Sequence, residues 1–176
     1  TGRQAAGHGR LGRSWTAPDG EALALSVLLR PAAHGALLAL LCGRFDNARQ
    51  LEELKQTGGP ALPYAEHVNT ICNEKIAGLP ADFPGKFVLE ESYYTTDGRT
   101  HASPHLFLFT EEGEAVKLTS YQLPKGQDGS PVSWETLPPM QWQDLEVSGK
   151  FTPALYTLHG GVWEGGSVSM FSPVLK

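Results

Sequence analysis

Cysteine, positive charge and long apolar runs are the features that this chain has least of. Its only two cysteines, Cys42 and Cys72, are thirty residues apart in a chain of 176. Two cysteines do not make a disulfide framework, and neither has the CxxC spacing of a zinc site. We therefore predict no metal site, interpret both as small buried apolar residues, and expect a cytoplasmic location.

Basic residues are outnumbered by acidic ones. Lys and Arg total 14 against 19 Asp and Glu, which gives a net charge of −5. A nucleic-acid partner is not expected, because such a partner requires a basic surface. The longest apolar stretch, 36–42, is far shorter than the roughly 18 residues of a membrane-spanning helix. A membrane partner is therefore not expected either.

Glycine and proline are abundant, with 20 and 13 residues, while 40% of the chain is apolar and 19% charged. This composition is typical of a globular protein with many turns, and the length predicts one domain with an appendage. A change of composition near 31–35 predicts a boundary between residues 1–31 and residues 32–176. The missing initial methionine, and an end that directly follows a strand-like run, predict an incomplete first piece and a truncated second one.

After this boundary, apolar residues recur at three- and four-residue spacing, the pattern of an amphipathic helix. The apolar stripe consists of Leu37, Leu40, Leu41, Phe45, Ala48, Leu51 and Leu54. Glycine ends helices and proline cannot continue them, so the helix is expected to stop at the sequence Thr57-Gly58-Gly59-Pro60.

The rest of the chain has the pattern of β-strands. Strands are predicted at 86–94, 105–110, 115–123, 151–158 and 162–171. Turn sequences separate them at 96–99, 111–114 and 159–161. One N-terminal helix followed by antiparallel strands predicts a mainly β fold, either an antiparallel β-barrel or a strongly curved sheet, which is a lipocalin-like cup.

Glycine and arginine alternate near the start of the chain. Glycine lets a backbone approach a ligand closely, successive N–H groups form concavities that bind anions, and arginine matches phosphate or carboxylate. The segment resembles the ligand loop of biotin protein ligases at Gln4, Gly7, Gly9, Arg10, Gly12, Arg13 and Trp15. The resemblance implies that these residues bind biotinyl-adenylate, with biotin and ATP as the ligands.

Residues 36–123 are similar to the CpcT/CpeT family of phycobiliprotein chromophore lyases. The similarity lies in 40–50, in 87–94 and in the strand pair around 106–109. It implies an antiparallel β-barrel with a cup-like cavity, a bilin as the small-molecule ligand, and an acceptor protein as partner. The implied activity is attachment of the bilin to a cysteine of that acceptor.

The candidate catalytic residues lie together on one predicted strand, and they are Glu90, Glu91, Tyr93 and Tyr94. Successive residues of a strand face opposite sides, so only one glutamate and one tyrosine can face a cavity. A carboxylate there pairs with pyrrole N–H groups or moves a proton. The alternative is that these residues have structural roles. The glutamates are then solvated or hydrogen-bonded, and a tyrosine packs in the core with its hydroxyl in contact with water.

Arg99 and His105 are the candidate ligand-binding residues. Arg99 lies in a predicted turn, where it can meet a bilin propionate or remain a solvated charge. His105 follows Pro104 where the lyase family often has a Tyr-Arg pair entering the next strand. His101 and His105 are four residues apart in a strand and lack a third ligand at suitable spacing, so they predict no metal centre.

Three functions remain open at this point. The leading one is a bilin-lyase-like protein that holds a tetrapyrrole-type or similar hydrophobic, carboxylate-bearing ligand in a β-barrel cavity. The second is a fragment derived from a biotin protein ligase, and the third is a non-catalytic interaction barrel.

Overall fold

The computed structural model describes residues 4–8, 14–17, 33–126 and 130–167. The chain divides into two compact units, Thr1–Arg30 and Pro31–Lys176. In the first unit, β1 (Gln4–His8) and β2 (Ser14–Ala17) pair as antiparallel strands.

The second unit is built on an eight-stranded antiparallel sheet. Its strands are β3 (Gly43–Asp46), β4 (Tyr64–Ile71), β6 (Lys86–Thr96), β7 (Arg99–Ala102), β8 (His105–Glu112), β9 (Ala115–Tyr121), β11 (Ala154–His159) and β12 (Val162–Glu164). The spatial order is β12-β11-β9-β8-β6-β4-β3, and β7 pairs with the end of β6. Two short strands, β5 (Ile76–Ala77) and β10 (Met140–Gln141), form a separate parallel pair. The sheet curls strongly into a half-barrel, so the predicted mainly β, cup-like fold is confirmed.

The hairpin turns lie where the sequence predicts them. Asp97 and Gly98 have φ of 52° and 72°, and Gly160 and Gly161 have φ of 57° and 85°. Two consecutive residues with positive φ match the right-handed twist of the strands that they join. Gly113, with φ of 64°, turns β8 into β9.

A proline separates β7 from β8. Both strands pair with β6, and between them the N–H of Ser103 still donates to the carbonyl of Ser92 at 2.8 Å. Pro104 has no N–H to continue the ladder. The interruption leaves His105 directly opposite Glu90 in the register of β6 and β8.

The predicted single helix is two helices, α1 (Ala33–Leu41) and α2 (Ala48–Thr57). Between them Gly43 has φ of 138°, outside the helical range, and β3 pairs with β4 from Gly43 to Asp46. The predicted end of the helical segment is confirmed, because Gly58 adopts the left-handed conformation that ends α2.

Both faces of the sheet are covered. On the helix face, α1 packs over β8 and β9, and the core includes Leu37, Leu38, Val88, Phe107, Phe109, Val116, Leu118 and Ala154. On the loop face, the core consists of Cys72, Ile76, Phe87, Leu89, Leu106, Leu108, Val132, Leu137 and Met140. Burial on both faces explains why β6 and β8 are apolar at consecutive positions rather than at alternate ones.

None of the helices that the structure describes has the length and apolar character needed to cross a membrane.

Candidate functional site

A cavity of about 320 Å³ lies on the helix face of the curved sheet. Residues from α1, from five strands, from the segment before β11 and from the segment after β12 form its wall. They are Leu37, Leu41, Asn69, Val88, Glu90, Phe107, Phe109, Leu118, Phe151, Tyr156 and Ser167. A volume of this size is at the lower end of the range of small-molecule sites, which are mostly apolar with a few placed polar groups.

Glu90 is the acidic residue of this wall, and no Lys or Arg of the described ranges joins it there. Its negative charge reaches Tyr156, whose pKa is raised by burial first and by Glu90 second. Asn69 also lines the cavity, but its side-chain N–H donates to the carbonyl of Leu41 at 3.0 Å. Among the described lining residues, Glu90 is therefore the charged one, beside the polar groups of Asn69, Tyr156 and Ser167.

Two neighbouring side chains hold one oxygen of Glu90. The hydroxyl of Ser92 donates to Oε1 at 3.3 Å, and Nδ1 of His67 lies 3.2 Å from the same oxygen. Ser92 Oγ and His67 Nδ1 are 2.9 Å apart. All three contacts are satisfied together when the Nδ1–H donates towards Ser92 and Glu90 while Ser92 donates to Glu90. Among the described residues, none hydrogen-bonds to Oε2 of Glu90.

The Ser92, His67 and Glu90 cluster differs from a nucleophilic triad. In a triad, the serine and the carboxylate contact different nitrogens of the histidine, so that a proton can pass from the serine to the ring. Here both contact Nδ1. This geometry orients the carboxylate and does not activate the serine.

The other predicted glutamate and its tyrosine lie on the loop face. Glu91 is only 5% exposed, and the hydroxyl of Tyr93 donates to its Oε2 at 2.6 Å. Burial, followed by this hydrogen bond, raises the pKa of Tyr93 to about 12. Neither residue lines the cavity, so the pair has the structural arrangement that the sequence left open as an alternative.

Tyr94 lies on the helix face but is 39% exposed, beyond the wall of the cavity. Its ring meets the His67 ring edge-on, with the centroids 5.7 Å apart. Tyr94 thus contacts His67, which in turn lies 3.2 Å from Oε1 of Glu90.

The two predicted ligand-binding residues have different surroundings. Arg99 is exposed at the start of β7 and pairs in register with Thr96, outside the cavity wall. His105 is buried opposite Glu90, and burial lowers its pKa although the charge of Glu90 acts in the other direction. Phe151 lines the cavity. Its ring contacts the His105 ring edge-on, with the ring centroids 5.0 Å apart.

The residues predicted to bind biotinyl-adenylate belong to the first unit. Gln4 and Gly7 lie on β1 and Trp15 lies on β2, where Trp15 pairs with Gly7. The remaining four, Gly9, Arg10, Gly12 and Arg13, lie outside the described residues. Binding of biotinyl-adenylate stays a prediction.

Sequence reasoning missed His67, Ser92 and Tyr156 as residues of the site. Ser92 had a usable signal, because it is two residues after Glu90 on a strand and therefore shares its face. His67 comes from β4, whose residues have no clear alternation of apolar and polar side chains. Only the pairing of His67 with Ser92 in the register of β4 and β6 brings that histidine to Glu90.

The fold and the site together define a half-barrel with an apolar cavity and one oriented carboxylate. Among the described residues, no group of three or more His, Cys, Asp or Glu side chains is placed to hold a metal ion. No family model, curated protein or solved structure matches this chain.

Proposed function

We propose that residues 31–176 form a cup that binds a linear tetrapyrrole, in the manner of the chromophore lyases that the sequence resembles. The observation that carries this proposal is the apolar cavity whose one acidic wall residue, Glu90, is held by Ser92 and His67. A linear tetrapyrrole combines flat apolar rings with N–H donors, which is the chemistry that such a wall accommodates.

In this proposal, the pyrrole rings lie against the aromatic side of the cavity, near Phe107 and Phe109. Oε2 of Glu90 accepts a hydrogen bond from a pyrrole N–H while Oε1 stays engaged by Ser92 and His67. Charge-assisted hydrogen bonds of this kind are about twice as strong as neutral ones. Because the cavity is near the lower limit of ligand-site volumes, it encloses one end of the ligand and leaves the other end at the open side.

The end of the ligand that stays at the open side is accessible to an acceptor protein, so the ligand can be transferred from there. If the protein is a lyase, Glu90 is the group placed to hold or move a proton on the bound tetrapyrrole. The proposal includes a cytoplasmic location, because both cysteines of the described chain are free thiols.

Titration with biliverdin, a linear tetrapyrrole, tests the function. The wild-type protein is expected to shift the absorption bands of biliverdin in a saturable way. The Glu90→Gln variant keeps the shape of the side chain but removes its charge, and we expect it to bind biliverdin about tenfold to a hundredfold more weakly, the usual effect of losing a hydrogen bond to a charged group.

The matched control is Glu114→Gln, because Glu114 is exposed in the turn between β8 and β9. This variant is expected to bind like the wild type. A lack of any absorption change at saturating biliverdin would overturn the proposal and favour the non-catalytic interaction barrel.

A further inference from the structure

A second, smaller cavity lies beside the first, where β8 begins and β9 ends. Its volume is about 210 Å³, and its wall is formed by the junction of β7 and β8, the end of β9, and the segment that precedes β11. The lining residues are Pro104, His105, Ser120, Tyr121, Gln122, Leu123, Ser148 and Lys150.

The charge of this second cavity is opposite to that of the first. Among the described residues, no carboxylate lines it, and Lys150 supplies its positive charge. Burial lowers the pKa of His105; the charge of Glu90 opposes this shift, and Lys150 adds to it. The net direction disfavours the charged imidazolium. An ammonium group without a facing carboxylate favours an anion in the space beside it.

Two buried serines add hydroxyl donors to this wall. Ser120 is 3% exposed and Ser148 is 6% exposed. Both serines line the second cavity. Ser148 Oγ accepts from the N–H of Lys150 at 3.2 Å, which leaves the hydrogen of Ser148 available to donate. A serine hydroxyl that lines a cavity can donate to a ligand atom or to a water there.

The two cavities share a wall. Phe107 of the first is paired in register with Ser120 of the second, and Glu90 of the first with His105 of the second. One ligand can therefore place an apolar body beside Phe107 and extend a side arm across this wall to Ser120.

We propose that the second cavity binds a carboxylate, and that this carboxylate is the acidic arm of the ligand held in the first. The hydroxyls of Ser120 and Ser148 donate to its oxygens, and the Lys150 ammonium neutralises its charge. The assignment to an arm of the same ligand rests on the function proposed above. The anion site itself rests only on the second cavity.

The test compares biliverdin with its dimethyl ester, in which both carboxylates are masked. We expect the wild-type protein to bind the ester about tenfold more weakly than the free acid, since hydrogen bonds to a charged group are lost. Lys150→Met and Ser120→Ala are expected to weaken binding of the acid by a similar factor and to leave binding of the ester unchanged. The control Lys55→Met, on exposed helix α2, is expected to change neither.

Equal affinity for acid and ester, with Lys150→Met binding like the wild type, would overturn the carboxylate site while leaving the proposed function in place.

If neither tetrapyrrole binds, the proposed function fails, and the anion site is then tested by titration with acetate and with inorganic phosphate. Saturable NMR shifts of the Ser120, Ser148 and Lys150 amides with either anion, absent in Lys150→Met, support an anion site. Their absence overturns it. Saturation by phosphate together with equal affinity for acid and ester would show a free-anion site and overturn the assignment to the ligand arm.

Discussion

Glu90 and Glu91 are neighbours in the chain, yet their carboxylates meet different surroundings. Glu90 faces the apolar cavity with one oxygen held by Ser92 and His67. Glu91 is buried on the loop face, where it accepts a short hydrogen bond from Tyr93. Alternation along the strand separates the two environments by a full sheet thickness, so the same side chain serves a candidate site in one position and stability in the next.

Removing the Tyr93 hydroxyl by Tyr93→Phe leaves the buried Glu91 without the donor that contacts it at 2.6 Å. We expect a decrease of about 1.5–3 kcal/mol in the free energy of unfolding, the usual range for a hydrogen bond to a charged group, with no change in biliverdin binding. Urea unfolding measures the first quantity. Tyr94→Phe is the matched control because Tyr94 is 39% exposed. Equal losses in the two variants would contradict the structural role of Tyr93.

His105 makes part of the stability depend on pH. Burial lowers its pKa below the ordinary value of about 6.5, so the unfolded chain binds a proton more readily than the folded one. As the pH falls below about 6.5, the unfolded state takes up more protons, and the free energy of unfolding decreases.

The variant His105→Gln is expected to lose part of this acid sensitivity. The difference in unfolding free energy between about pH 7.5 and about pH 5.5, measured in urea, should be smaller than in the wild type. His159→Gln, at the exposed end of β11, should keep the wild-type difference. An unchanged pH dependence in His105→Gln would show that this histidine does not contribute.

At the scale of elements, the turn between β6 and β7 depends on backbone conformation alone. Gly98 has φ of 72°, and an added Cβ would meet no atom within 4 Å. Any cost of Gly98→Ala therefore comes from the left-handed conformation, which we expect to decrease the unfolding free energy by about 1–2 kcal/mol. Gly149→Ala is the matched control, because that site is equally open and has no positive φ.

Thermal or urea unfolding of both variants measures this difference. Gly149→Ala should be neutral or slightly stabilising, since alanine restricts the unfolded chain. A neutral Gly98→Ala would mean that the β6–β7 turn adopts another conformation in solution.

Helices α1 and α2 show how pairing overrides a local pattern. The apolar stripe runs through 43–46 without a break in its spacing, and it predicts one helix. Those four residues instead form β3, which pairs with β4. Helix α2 buries no residue and is supported by local contacts such as the Arg49–Glu53 ion pair at 2.9 Å. The stripe therefore identifies apolar residues correctly but does not identify which of them lie on one continuous helix.

At the scale of the whole molecule, the second unit is a curved sheet with a different function for each face. The loop face is filled by the core around Phe87 and Leu106. The helix face leaves one cavity with Glu90 on its wall, and a second cavity with Lys150 on its wall lies beside it. Opposite charges across a shared wall suit a ligand that carries N–H donors at one point and a carboxylate at another.

Much of the fold could be predicted from local patterns. The hairpin turns and strands β6, β8, β9, β11 and β12 follow from glycine positions and apolar runs, because turn conformation and strand burial are set by nearby residues. Strands β3, β4 and β7 were not predicted. The candidate site was predicted in part, since Glu90 lies in the cavity, but His67 comes from a strand 23 residues earlier in the chain. No local signal reports which strands become neighbours in the sheet.

Turn positions, the mainly β class and the opposite orientation of adjacent glutamates were determined by the sequence itself, because each depends on the conformational preference of a few consecutive residues. Tertiary structure alone decided which glutamate faces a cavity, that His67 and Ser92 orient it, and that Ser120 and Lys150 meet in a second cavity. Those outcomes depend on strand register and sheet curvature, which arise from the packing of both faces at once.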